Sequence, residues 1–512
     1  MEQMYHNPVV RGFHPDPSVI RVGEDYYLAT STFQYFPGIA ILHSRDLVNW
    51  KTIGHGFTDS ASLDLSDIAD SHGLWAPDLS YHDGKFILFA PLRLNNPPEG
   101  HTAPLRVQLV ATAARPEGPY STPVRIAVDN IDPSLFVDDD GKRYMIIPPA
   151  VRIVELSDDC TRALGEPVTV WAGTGRSCPE GPRVFKKDGW YYAMLAEGGT
   201  GYGHCITVAR ARSLFGPYEE CPFNPVFNQP DPNAPIQRCG HGQLVSTPHG
   251  EWWMMYLCGR INEGSYTTLG RETALDPVRW TEDGWFVVNE GKGPSLCNAA
   301  PLLPPSPCEE DGFDGFETEK LSLAWQWVRN PDDSAWSLTQ RAGYLRLLTG
   351  DHDLDTIAAK NTLLRREESF LYAAGTMLSF EPLDGEQAGL TCYYGTQNYI
   401  KLYCTAAADG GRLVRLEENR NGLVTTLGVC HPPKGEVYLG LHVKGQTRSF
   451  VCGTNEADAR QVGIAEDCTF LSDEGVAAGK HHTGTLVGLF ATNKGSGRRI
   501  AADFDWFSYK NL

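Results

Sequence analysis

The sequence predicts an all-β chain in two parts, a five-bladed β-propeller followed by a β-sandwich, and three observations carry that expectation. A hairpin signature recurs five times across residues 1–300, helical periodicity is almost absent from the same stretch, and a Pro-rich break at residues 301–307 separates it from a region of different pattern.

The five repeats start at Asp16-Pro17-Ser18-Val19, Asp78-Leu79-Ser80-Tyr81, Asp132-Pro133-Ser134-Leu135, Glu180-Gly181-Pro182-Arg183 and His241-Gly242-Gln243-Leu244. Each runs into a turn, at Gly23, Gly84, Gly141, Gly189 or Gly250, and then into an aromatic strand such as Tyr26-Tyr27 or Trp190-Tyr191-Tyr192. Alternating apolar residues, a Gly turn and a β-rich aromatic segment together read as a hairpin. The starts lie 48 to 62 residues apart, which is room for one four-stranded blade and its loops. Residues 301–309 form the expected linker. Beyond it, in residues 310–512, short strands such as Tyr344-Leu345-Arg346-Leu347-Leu348 and the run from Glu436 to Val443 predict the sandwich.

Composition narrows the function. A net charge of −19 without a basic stripe argues against nucleic acid or an anionic membrane as partner, whereas a neutral substrate meets no such penalty. No apolar run is long enough to cross a bilayer as a helix. The start, Met1 to Pro8, carries neither a basic nor an apolar leader segment, and the 13 Cys are scattered from Cys160 to Cys468 without CxxC pairs. Both features lead us to expect a cytoplasmic protein with reduced thiols and no zinc site. The 12 Trp and 21 Tyr suit stacking on sugar faces, although most are expected to fill an all-β core.

In a propeller the innermost strands surround one axis and run the same way, so residues that begin them converge at one end of the channel. That reasoning gathers Asp16, Asp78, Asp132, Glu180 and His241 in one funnel. Crowded carboxylates raise one another's pKa, which lets a protonated acid coexist with an ionised base near neutral pH. Glycoside hydrolysis needs that division of labour. Inversion further asks for carboxyls roughly 6.5–9.5 Å apart, so that a water fits between. Singly, each residue has a plainer reading: Asp-Pro and Glu-Gly-Pro initiate turns, and a lone His is more often a core group. The glycine run at Gly198–Gly203 lacks the Lys-Ser/Thr of a phosphate loop, and Asp138-Asp139-Asp140-Gly141 reads as a solvated turn rather than a calcium loop.

Gly12-Phe13-His14-Pro15-Asp16-Pro17-Ser18, Thr30-Ser31-Thr32-Phe33, Leu74-Trp75-Ala76-Pro77-Asp78, Glu180-Gly181-Pro182, Glu197-Gly198-Gly199-Thr200, Gly240-His241-Gly242 and Gly270-Arg271-Glu272-Thr273 resemble the glycoside hydrolase family 43 β-xylosidases. The segment from Trp325 to Asp332 resembles the concanavalin-like sandwich joined to that propeller. The resemblance implies an inverting exo-glycosidase acting on xylo-oligosaccharides or arabinoxylan fragments, as a β-1,4-xylosidase and also as an α-L-arabinofuranosidase. A primary arabinofuranosidase and a non-catalytic carbohydrate-binding protein are the alternatives. The resemblance further implies that Asp16 is the general base, that Glu180 is the general acid, and that Asp132 raises the acid's pKa and positions it. Phe33, Trp75, Asp78, Thr200, His241 and Arg271 are the implied substrate-binding set. No cofactor is required, but in some members the central histidine, here His241, contacts a calcium ion or a water. Relatives often form dimers or tetramers. One departure stands out: where relatives often carry Phe before Thr-Gly in a pocket-closing loop, this chain has His481-His482-Thr483-Gly484, which we expect to alter leaving-group preference or pH response.

Overall fold

The computed structural model describes residues 3–308, 312–477 and 482–512. Among them the only helical pieces are two 3-10 turns. Five antiparallel sheets follow one another along the chain, and each is opened by one of the strands Ser18–Val22, Asp78–His82, Ser134–Val137, Glu180–Lys187 and Ile236–Ser246. These opening strands pack side by side in a closed ring, which makes them the inner strands of blades I to V. The ring is closed near its seam by the N-terminal strand Met4–His6, which pairs with Cys297–Ala299, and by Asn7, whose side-chain amide donates to Leu275 O at 2.7 Å.

The sandwich consists of two eight-stranded sheets. One of them is completed by the propeller: Tyr35–Phe36, in the chain of blade I, pairs with Gln326–Val328 at its edge. An otherwise open sheet edge is thereby covered by the neighbouring domain. A single apolar core runs from blades I and II, through Ile41, Leu74 and Leu88, into the sandwich at Trp327, Leu390 and Phe504. The strands Cys297–Ala299 and Phe313–Asp314 flank the expected linker, and the two parts share one interior. Residues 309–311, where the linker was expected to end, lie outside the described residues.

Candidate active site

The inner strands present two rings of side chains to the axis, two residues apart. Ser18, Asp78, Ser134, Arg183 and Gln243 form the lower ring, deep between the blades. Asp78 accepts from Arg183 Nη1 at 2.6 Å, Ser80 Oγ at 2.8 Å, Leu135 N at 3.1 Å and Ser18 Oγ at 3.4 Å, and so ties four blades together. Gln243 receives Val19 N at 2.9 Å and joins blade V to blade I. Two positions earlier stand Asp16, Ala76, Asp132, Gly181 and His241, and all of these but Gly181 border, with Glu180, a pocket of about 250 Å³. Strand periodicity explains the spacing: residues i and i+2 share a face and differ only in depth.

This arrangement corrects one expectation. Asp78 does not border the pocket but lies against the cavity at the opposite end of the channel, beside Arg183, Ser134 and Gln243. Its true counterpart of Asp16-Pro17-Ser18 is Ala76-Pro77-Asp78, so blade II offers a methyl group to the pocket and its acid to the lower ring. The other predicted residues, Asp16, Asp132, Glu180, Phe33, Trp75, Thr200, His241 and Arg271, all line the pocket.

Backbone geometry aims the upper ring. Asp16, Asp132, Gly181 and His241 have φ of 57°, 46°, 57° and 49°. Non-glycine residues in this left-handed region cost about 1–3 kcal/mol each, a strain that the surrounding bonds must hold. At Gly181 a Cβ would lie 3.1 Å from the His241 ring, a tight contact on a backbone of positive φ that favours glycine. The Gly181 N–H then donates to Asp132 Oδ2 at 3.0 Å, fixing the main chain beside Glu180.

The carboxyls are driven apart in protonation. Burial pushes Asp16 upward, but the Arg271 guanidinium at 2.9 Å and the Ser31 hydroxyl at 2.6 Å outweigh it and hold the group below its ordinary value. His241 adds little to that effect, since burial lowers its own imidazole to about 4 and leaves it neutral near pH 7. Glu180 is raised to about 7 by burial and by the negative charge of Asp16. Asp132 is raised as well, by burial and by Glu180, so the two titrate as a pair. Asp16 is thus held toward its ionised form, while Glu180 and Asp132 are both held toward their protonated forms.

The walls come from both domains. Phe33 and Trp75 form an aromatic side, with ring centroids 6.0 Å apart, and Arg271 lies 5.5 Å over Phe33. Behind them stand Phe13, Tyr35 and the sandwich residues Val328, Tyr393 and Phe490. Arg271 reaches the sandwich directly, donating to the carbonyl of His482 at 3.1 Å. Gly270 and Gly484 make this crossing feasible, since a Cβ on Gly270 would lie 2.6 Å from Gly484 Cα. His482 itself lines the pocket, while His481 lies outside the described residues.

A calcium ion takes 6–8 oxygen ligands. Around His241, Asp16 is already committed to Arg271, and the positive charge of Arg183 bears on the imidazole. Among the described residues no three His, Cys, Asp or Glu side chains converge as metal ligands. This donor set does not fit direct coordination, and no step below runs through a metal.

Sequence reasoning missed Arg183, Ile131, Cys178 and Leu257. Arg183 was visible in principle, as the residue after Gly181-Pro182 that matches Ser18 after Asp16-Pro17. The others carry no signal beyond being apolar or small near a motif.

An aromatic-walled pocket holding one ionised carboxylate and one protonated carboxyl pair, at the mouth of a five-bladed propeller, defines a hydrolase of the carboxylate acid–base type. Residues 5–286 match the model of glycosyl hydrolases family 43, and residues 313–510 match that of the β-xylosidase C-terminal concanavalin A-like domain; the chain belongs to this family. It is similar to the crystal structure of a family 43 protein from Bacillus licheniformis, at 57% identity and a TM-score of 0.97 with all of both chains covered. It is 37% identical to a xylan 1,3-β-xylosidase of a Vibrio species, over 99% of each chain. To a non-reducing end α-L-arabinofuranosidase of Bacteroides ovatus it is 36% identical, over 100% of this chain and 96% of the other.

Proposed function

We propose that this protein is an inverting exo-glycosidase that releases terminal xylose from β-1,4-linked xylo-oligosaccharides. The observation that carries the reading is one pocket in which Asp16 is paired with the Arg271 guanidinium while Glu180 and Asp132, which also line it, have no such cation bonded to them among the described residues. Asp16, ionised and anchored by Arg271 and Ser31, acts as general base on a water. Glu180 donates its proton to the leaving glycosidic oxygen, which becomes a hydroxyl as the water adds to the anomeric carbon. Asp132 keeps Glu180 in place through the Gly181 N–H and shares with it a burial that favours the protonated acid. Phe33 and Trp75 receive the apolar face of the sugar, while Arg271 and His241 offer hydrogen-bonding groups to its hydroxyls.

Pocket depth supports chain-end attack. Asp16, Phe33, Asp132, His241 and Arg271 are buried at its floor, whereas Trp75, Glu180, Thr200 and His482 are part-exposed at its rim. At about 250 Å³ it is smaller than the roughly 300–1,000 Å³ of typical ligand pockets and suits a terminal sugar rather than a through-running polymer. The natural substrates in this reading are short oligosaccharides in a reducing cytoplasm, which suits the thirteen thiols.

Arabinofuranoside cleavage is a second activity of the same pocket, favoured by the 36% identity to an enzyme named for it. Parallel kinetics on 4-nitrophenyl β-D-xylopyranoside and α-L-arabinofuranoside test the order: kcat/KM is expected to be higher on the xyloside. A higher value on the arabinofuranoside reverses the assignment. A protein that binds xylobiose and cleaves none of the three substrates is a carbohydrate-binding protein instead.

A further inference from the structure

A second buried guanidinium, besides Arg271, spans the domain junction at the pocket rim. Arg238, at φ 61° and 3% exposed, belongs to the inner strand of blade V. Its Nε donates to Thr200 O at 2.7 Å. Its Nη1 donates to Thr267 Oγ1 at 2.8 Å and Glu474 Oε1 at 3.3 Å, and its Nη2 to Asp473 Oδ2 at 2.6 Å. Two of these partners are propeller residues and two are sandwich residues. Asp473 in turn accepts from Tyr394 and lies 3.9 Å from Nδ1 of His482. A single side chain therefore bonds Thr200 on the propeller side of the rim and, on the sandwich side, Asp473, whose carboxylate packs beside the His482 ring.

The pair is charged under all working conditions. Burial opposes both charges, but each ion outweighs it for the other, so Asp473 is held well below the usual carboxylate range and Arg238 above its ordinary value. Such a clamp is rigid because neither partner can be released without leaving a buried charge unpaired. Thr200 and His482 both line the pocket at this rim, so the backbone that Arg238 ties down carries side chains that a bound saccharide meets. The terminal sugar takes the floor, so the saccharide that passes this rim is the one leaving.

We propose that Arg238 is a positioning residue for the leaving saccharide: it fixes Thr200 and His482 across the domain junction in the geometry that receives the sugar beyond the bond that breaks. The proposal rests on the exo-glycosidase reading above. It implies that the sandwich domain sets preference for the leaving group without supplying an acid or a base.

The test compares xylobiose, whose leaving group is a sugar, with 4-nitrophenyl β-D-xylopyranoside, whose leaving group has no hydroxyl array. For Arg238→Lys the ratio of kcat/KM on xylobiose to that on the aryl xyloside is expected to fall about fivefold to tenfold, the size of one neutral hydrogen bond, mainly through KM for xylobiose. Glu474→Gln removes a part-exposed partner of the same clamp, gives a variant that folds if Arg238→Lys does not, and is expected to lower the ratio about threefold. An equal loss on both substrates, or an unchanged ratio in either folded variant, overturns the assignment and leaves Arg238 a stability residue. A wild type that cleaves neither substrate overturns the exo-glycosidase reading and this one with it.

Discussion

The upper and lower rings of the propeller lie on the same five strands, two residues apart, and use acids in opposite ways. In the lower ring Asp78 meets Arg183 directly, and both side chains are buried, 3% and 8% exposed. Its charge is spent on tying blades together. In the upper ring there are three carboxyls, Asp16, Asp132 and Glu180, facing one guanidinium, Arg271. That surplus of acid forces a division, with Asp16 held toward its ionised form and Glu180 and Asp132 toward their protonated forms. An acidic residue near a propeller axis is thus a strut or a reagent according to whether its neighbours balance its charge.

The largest effect expected from this contrast is on turnover. Glu180→Ala removes the proton donor, and kcat on xylobiose is expected to fall by about 10²–10⁴-fold, with a smaller loss on 4-nitrophenyl xyloside, whose leaving group needs little protonation. Equal losses on the two would contradict the acid role.

In the lower ring the cost should appear as stability. Arg183→Met strands the Asp78 carboxylate and is expected to destabilise the fold by about 3–5 kcal/mol, read as urea or thermal unfolding. Comparable stability of this variant and the wild type would erase the distinction between the rings.

The pH profile is the next test. Glu180 works protonated, so kcat/KM is expected to decline as pH rises through about 7. Asp16 works ionised and sits below the usual carboxylate range, so the acid limb should lie below that range too. Replacing Glu180 by Gln should abolish the alkaline limb in whatever activity remains on the aryl substrate.

The smallest effect belongs to a neutral bond of the lower ring. Ser134 Oγ donates to Pro182 O at 2.7 Å, and Ser134→Ala is expected to cost about 1 kcal/mol of stability with kcat unaltered.

Much of this was legible in the sequence because it is local. Hairpins, their Gly turns and the five-fold spacing are carried by residues a few positions apart. Asp16, Asp132 and Glu180 announce themselves through the prolines that follow them. Asp78 misled because alignment on the acid places it with Asp16, whereas alignment on Pro77 places Ala76 there instead. A shift of two residues keeps a side chain on the same face and changes only its depth, so alternation alone cannot expose the slip. The sandwich's share in the pocket was harder to read. Arg238 and Asp473 are 235 residues apart, and their meeting depends on how the two domains pack, which no local pattern records. Only the His482 position hinted at it.

The account turns on water attacking from the Asp16 side while Glu180 releases the leaving sugar. Proton NMR of xylobiose during the first minutes of hydrolysis tests it most directly. The prediction is that the xylose freed from the non-reducing end appears first as the α-anomer and only later mutarotates. First appearance as the β-anomer would contradict it, since retention requires a carboxylate to attack the sugar itself.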